Sequence, residues 1–345
     1  MSNVTTTPAD DRVGTRSSFS TTLARPEVGA LLAAIAVAVL FFAVAPAFRN
    51  VGNIGTILYG SSTIGIMAVV VALLMIGGEF DLSAGVAVTT SALMAAHTAW
   101  YFSLNVWVGI GAALVLSLAI GAFNGWLLHK TGLPSFLVTL GTFFVLQGAN
   151  LAMTRLIAGG VSSNALNDLD GFDSAHAVFA SSVTLGPVEV KIPVIYWIVM
   201  AVIAGALLLR THYGNWIFAV GGDSAAARAV GVPVTATKVF LFMGVGFGAW
   251  VLGMHNLFEY NNVQSGQGVG YEFVYIIAAV IGGCTLTGGY GSVVGAAIGA
   301  LIFGMTQLGI TYAGWNVDWF KTFLGVMLIA SVLVNMYVKR KAEGR

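Results

Sequence analysis

The chain is a succession of long apolar runs separated by short polar breaks, and the runs have the length of membrane spans. A helix crosses the hydrocarbon of a bilayer with about 20 mainly apolar residues. Runs of this kind occupy 28–48, 56–76, 84–102, 106–129, 136–154, 192–209, 238–258, 292–312 and 319–338. A further run, 272–283, is too short to cross as a straight helix. It either completes a crossing in broken form or is a half-helix that stops inside the protein, where non-helical backbone is tolerated. The pattern predicts an all-α integral membrane protein of about ten transmembrane helices, with broken or half helices near its glycine-rich motifs. The polar, Ser- and Thr-rich stretch 1–27 is too long, and too uncharged near its start, for a secretory signal. It is expected to be a disordered cytoplasmic tail. A single transmembrane domain then covers 28–338, and 339–345 form a basic cytoplasmic tail.

Composition strengthens this reading. Of 345 residues, 57% are hydrophobic and 8% charged, against about 25% charged in an average soluble chain. So few charges cannot cover a soluble globule, which overrides the two soluble domains that length alone allows. The 44 glycines follow no collagen period and suit close helix packing in lipid. A net charge of +1 points neither to nucleic acid nor to an acidic partner. The single cysteine, Cys284, excludes an intrachain disulfide and a cysteine metal cluster, and reads as a small buried residue.

Lys and Arg placement sets the orientation. With the N-terminus inside, one side holds Arg12, Arg16, Arg25, Lys130, Arg210, Arg228, Lys238, Lys339, Arg340, Lys341 and Arg345, and the other only Arg49, Arg155, Lys191 and Lys321. This bias predicts that both termini are cytoplasmic. Trp100, Trp107, Trp197, Trp315 and Trp319 fall near span ends, as interfacial anchors do, or serve in ordinary helix packing. The outer loop 155–191 carries Asp168, Asp170, Asp173 and Glu189, and is either a site for an external partner, a small lid or a passive linker.

The inner loop 210–237 is more informative. Asp223 or Ser224 is a good N-cap, Ala225 to Val230 form helix readily, Gly231 suits a left-handed C-terminal cap and Pro233 blocks continuation. A helix over 224–230 is predicted. One so short is marginal in water, so the rest of the chain or a docked partner must hold it. Two glycine motifs interrupt the apolar runs. Ile76-Gly-Gly-Glu-Phe-Asp-Leu-Ser-Ala-Gly85 carries Glu79 and Asp81 at a break between spans, where a carboxylate marks a pathway or an ion pair, or caps the next helix. Ile281-Gly-Gly-Cys-Thr-Leu-Thr-Gly-Gly-Tyr-Gly-Ser-Val-Val-Gly295 leads into Gly291, Gly295 and Gly299 at every fourth position, a flat ridge for close helix contact. Both motifs open Ile-Gly-Gly, which suggests a structural duplication.

The pattern Ala219-x-Gly221-Gly222-x-x-Ala225-Ala226-x-Arg228-x-x-Gly231-Val232 resembles the cytoplasmic coupling loop of ABC-transporter permeases of the ribose/xylose type. Family members also commonly show Gly-apolar-Asp-Leu-Ser-Val-Gly and Gly-Gly-Thr-x-x-x-Gly-Gly-x-Gly at the two glycine motifs. Asn124-Gly125 and Pro134-x-Phe136-x-Val138-Thr139-Leu140-Gly141-Thr142 match as well. The resemblance runs over 28–337 in matching order; Glu79, Cys284 and Thr287 depart from the usual choices. It implies a permease subunit of an ATP-driven importer in the bacterial cytoplasmic (inner) membrane, moving a monosaccharide or related polyol by alternating access. It also implies an ATP-binding subunit inside, which carries the ATP and Mg, a second permease subunit, identical or related, and an extracytoplasmic sugar-binding protein. Gly221, Gly222, Asp223, Ser224, Ala225, Ala226, Arg228 and Gly231 would then dock on the ATPase. Candidates for the substrate path are Glu79, Asp81, Ser83, Asn124, Thr139, Gln147, Asn150 and Asn256; the hydroxyls and amides suit a neutral polyol, or serve as interhelical glue.

The chain has no Gly-x-x-x-x-Gly-Lys-Ser/Thr phosphate loop, no His-Glu-x-x-His and no Gly-x-Ser-x-Gly, and its histidines (His97, His129, His176, His212, His255) are scattered. It is therefore read as a transport subunit without cofactor, not an enzyme. The alternative is an ion-coupled secondary transporter with Glu79 or Asp81 as the proton site, which has no need of the Ala-rich inner loop.

Overall fold

The computed structural model describes residues 26–342. The helices are α1 (Pro26–Val44), α2 (Asn53–Ile76), α3 (Ala84–Tyr101), α4 (Val106–Thr131), α5 (Ser135–Ala158), α6 (Phe172–Phe179), α7 (Ile192–Arg210), α8 (His212–Gly222), α9 (Ser224–Ala229), α10 (Val234–Tyr260), α11 (Tyr271–Ile281), α12 (Val293–Tyr312) and α13 (Trp319–Ala342). A two-stranded hairpin, β1 (Ser182–Leu185) and β2 (Val188–Lys191), precedes α7. Among the described residues seven helices, α1, α2, α4, α5, α7, α10 and α12, are long and apolar enough to cross a membrane. The tail 1–25, with Arg12, Arg16 and Arg25, lies outside the described residues.

The three other expected spans depart for different reasons. Helix α3 has 18 residues but carries Thr89, Thr90, Ser91 and His97, all buried. It packs against α4, α5 and α10, so its surface needs little lipid-compatible character. Helix α11 has 11 residues, about 16 Å, and ends in a glycine turn, which favours the half-helix over the full crossing of the two readings of 272–283. Helix α13 runs on to Ala342, so the first residues expected in the basic tail continue a helix.

Elsewhere the boundaries move by recognisable local chemistry. The first run stops at Val44 because Pro46 opens a 3-10 turn, Pro46–Arg49. Arg49 folds back so that its Nε and Nη2 donate to the carbonyls of Phe42 and Ala43 at 2.7 and 2.8 Å. Helix α10 starts at Val234, which makes Lys238 its fifth residue. Loop 155–191 is a built structure holding α6 and the hairpin, whose two-residue turn Gly186-Pro187 joins Leu185 to Val188. The carbonyl of Glu189 lies on Gly55, clamping β2 onto the start of α2.

Helix α2 is the core pillar, packed by α12, α7, α10 and α11, and all of Ile64–Ile76 is buried. Trp197 is no interfacial anchor. It is 7% exposed and its indole lies on Gly65 of α2, while Trp100, Trp107, Trp315 and Trp319 are exposed. The glycine ridge of α12 is used as expected at two of its three positions: Gly295 lies on the carbonyl of Gly282, and Gly299 on that of Ala278. Gly291 precedes the helix and sits against Ile76 and Cys284, the latter 1% exposed. Gly299→Val is expected to lower stability by about 1–3 kcal/mol through overpacking. Gly148→Ala, whose Cβ would meet nothing within 4 Å, is expected to hold or slightly raise it. Thermal unfolding of the detergent-purified protein measures both.

Candidate functional site

Helix α9 is built as its sequence predicts. Asp223 caps it, Oδ1 accepting from the amides of Ala225 at 2.8 Å and Ala226 at 3.0 Å. Gly231 has φ +86°, the amide of Gly231 donates to Arg228 O, and that of Val232 donates to Ala227 O, the paired bonds of a glycine-terminated helix. Only Ala227 is buried, against Val220 and Val234. Ala225, Ala226, Arg228, Ala229 and Val230 are exposed, and Ser224 is half-buried. The helix is thus held from one side by the chain itself and presents small side chains and one cation on the other.

Helix α8 was not foreseen; its Gly214, Asn215, Gly221 and Gly222 hid it. Thr211 caps it at Gly214 N, and His212, Tyr213 and Trp216 cluster on it. Its last turn contains Gly221 and Gly222, which are therefore not equivalent to the exposed residues of α9. A Cβ on Gly221 would overlap Ile76 O and stand 2.7 Å from Gly289 N. The Gly289 amide donates to Ile76 O at 2.8 Å. A Cβ on Gly288 would stand 2.6 Å from the Cα of Gly78, and one on Gly289 2.9 Å from the Cα of Gly222. Three glycine turns, from the ends of α2 and α8 and the segment after α11, therefore meet backbone to backbone.

The two Ile-Gly-Gly turns are the same structure. Gly77 has φ −70° and ψ 0°, Gly282 φ −69° and ψ −2°. Gly78 and Gly283 have φ +84° and +95°. Glu79 N donates to Leu74 O at 3.2 Å, and Cys284 N to Ala279 O at 3.0 Å. Each turn stops one helix (α2, α11) and releases another (α3, α12), which supports the duplication suggested by the motifs.

Behind the first turn lies a closed polar network. Asp81 Oδ1 accepts from Ser83 N at 2.8 Å and Ser83 Oγ at 2.5 Å. Asn124 Nδ2 donates to Ser83 Oγ at 3.1 Å, Thr142 Oγ1 donates to Asn124 Oδ1 at 2.6 Å, and Leu82 N donates to Thr139 Oγ1 at 3.0 Å. Asp81, Ser83, Asn124 and Thr139 are all buried and bonded to one another's segments, which gives them the geometry of glue pinning the turn to α4 and α5. Glu79 forms an ion pair with Lys238 of α10, the two side chains 10% and 16% exposed.

The remaining candidates stand apart. Gln147 is half-buried on α5. Asn150 is buried at a largely apolar cavity of about 700 Å³ between α3, α4 and α5. Asn256 lines a separate cavity with Thr63, Thr89, Tyr260, Gln267, Tyr271 and Tyr275. Of that cavity only Asn256 was foreseen; the further signal, Tyr260, Gln267, Tyr271 and Tyr275 around the short run 272–283, went unused.

Apolar helices broken by matching glycine turns, with polar groups buried between them, define a membrane transport protein. The chain belongs to the family described as branched-chain amino acid transport system / permease component, whose model matches residues 53–332. It is 31% identical over 313 residues to the ribose import permease protein RbsC of Escherichia coli, covering 90% of this chain and 93% of the relative. It is 28% identical over 310 residues to the galactose/methyl galactoside import permease protein MglC of Haemophilus influenzae, covering 86% and 90%. With the autoinducer 2 import system permease protein LsrD of an Enterobacter species it shares 28% over 284 residues, covering 81% and 84%. No solved structure matches.

Lys238→Met would leave Glu79 buried without its partner and is expected to cost about 3–5 kcal/mol; Lys238→Met with Glu79→Gln should recover most of it. Unfolding midpoints of the three proteins in one detergent check this.

Proposed function

We propose that this chain is the membrane-spanning permease subunit of an ATP-driven importer that carries a monosaccharide or small polyol inward by alternating access. It would work with an ATP-binding subunit at the α8–α9 end, a second permease subunit, and a sugar-binding protein at the hairpin end. The termini and α8–α9 would then lie in the cytoplasm, as the Lys and Arg bias expects. The sugar class follows from the names of the relatives, all of them import permeases.

One observation carries the mechanism: exposed α9 is joined through α8 to the glycine junction, which touches both helix breaks. A partner that moves α9 when it binds and hydrolyses ATP displaces Gly221 and Gly222. Having no side chains to yield, the contacts at Ile76, Gly78, Gly288 and Gly289 must shift with them. The α2–α3 and α11–α12 breaks then tilt together. The ion-coupled alternative is weaker, because Glu79 is paired with Lys238 and Asp81 is bonded to Ser83.

Arg228→Glu reverses the cation on the exposed face of α9. Co-purification with the ATP-binding subunit expressed beside it is expected to be lost while the permease stays folded. Retention of the complex would put Arg228 outside the docking surface. If the unmodified chain recovers no ATP-binding subunit, the importer reading falls, and proton-driven uptake by the chain alone, with Glu79 and Asp81 substituted, becomes the next test.

A further inference from the structure

We infer that the cavity at the start of half-helix α11 is the solute-contact site of the permease and selects uncharged polyols over amino acids, an inference that rests on the importer reading. The cavity, about 130 Å³, lies where α2, α3, α10 and α11 converge. A site for one water needs only about 10–15 Å³ of such space, so there is room for part or all of a small solute. Its polar wall is Thr63 and Thr89 with Asn256, Tyr260, Gln267, Tyr271 and Tyr275, and Val88 and Leu252 supply apolar surface.

Two features mark it as more than a packing gap. Thr89 and Tyr275 are each only 3% exposed, yet neither hydroxyl has a hydrogen-bond partner among the described residues; both side chains line the cavity. Neither hydroxyl is sealed in the packing: both reach the cavity surface and are open to whatever enters. The carboxamides of Asn256 and Gln267 and the hydroxyl of Tyr271 likewise engage no group among the described residues. The wall can therefore donate and accept hydrogen bonds at several points, as a polyol's hydroxyls require. The rings of Tyr271 and Tyr275, with centroids 6.1 Å apart, add flat apolar surface for a sugar's C–H faces.

The second feature is the absence of charge from the wall. The carboxylate on this turn, Glu272, does not line the cavity and accepts from Gly270 N at 3.1 Å through both oxygens. A zwitterionic amino acid would have to shed water from a carboxylate and an ammonium with no counter-charge to receive either. The family's descriptive name points to branched-chain amino acids, whereas the cavity chemistry points to neutral polyols.

The test uses the complete assembly, with ATP-binding subunit and binding protein, in proteoliposomes with ATP on the α9 side. The probes are radiolabelled ribose, galactose and leucine at subsaturating concentration. The expected result is uptake of a sugar and not of leucine. Gln267→Leu and Tyr275→Phe should each cut that uptake at least about tenfold and change the ribose-to-galactose ratio, because hydrogen-bond partners discriminate between solutes. Tyr275→Phe keeps the ring and carries the test if Gln267→Leu does not assemble. Sugar uptake within about twofold of the unmodified assembly, or an equal fall for every solute, overturns the site and leaves the importer reading standing. Preferred uptake of leucine overturns the polyol selectivity alone. Uptake of none of the three overturns both readings.

Discussion

The architecture hangs on a contact made without side chains. Ile76 O, at the end of the core helix α2, accepts the amide of Gly289, and Gly221 packs against the same carbonyl. Interiors are close-packed, so a Cβ at Gly221 or Gly288 would push the turns apart by more than the packing can absorb. The contact fixes where α2 stops, where the segment after α11 folds back, and how α8 lies across both. A joint of backbone on backbone leaves little freedom for one turn to move while the others stay.

Charge is placed to hold this arrangement at both ends of one helix. Helix α10, 27 residues or about 40 Å long, pairs Lys238 near its start with Glu79 beside the junction, and Glu259 in its last turn with Lys191 at the end of β2. Lys191 also lies over the ring of Tyr59, with Nζ 4.8 Å from its centroid. In a chain with 8% charged residues, two partly buried pairs on one helix tie the hairpin, α2 and the first glycine turn to a common strut. A departure from the family's usual pattern, Glu79, is thus accounted for by its partner.

Much of this was legible in the sequence wherever the information was local. Seven spans, the shortness of the run 272–283, the cap at Asp223, the stop at Gly231 and the ridge at Gly295 and Gly299 follow from apolar run length, capping chemistry and small-residue spacing. The two Ile-Gly-Gly motifs announced their shared turn. What the sequence could not carry was which distant segments meet. A glycine pair signals that backbone approaches closely, not that Gly221 approaches Ile76 and Gly289. Nor does a lone Glu79 name Lys238, 159 positions away. Helix α8 was hidden by its glycines, and the place of Trp197 near a span end left an interface and packing on Gly65 equally open. The path candidates divide for the same reason: polarity marks Asp81, Ser83, Asn124, Thr139 and Asn256 alike, and only their packing separates a closed network from an open cavity wall.

The account stands on the claim that the motion of α9 reaches the membrane helices through the glycine junction. The direct measurement is sugar uptake per ATP hydrolysed in vesicles holding the assembled importer with Gly78→Ala. That substitution lies outside α9 and places one methyl group in the junction, 3.2 Å from the Cα of Gly221. The predicted result is a complex that still assembles and hydrolyses ATP, with uptake per ATP reduced at least about tenfold, within the usual range of a coupling free energy. Uptake per ATP equal to that of the unmodified chain would contradict the account.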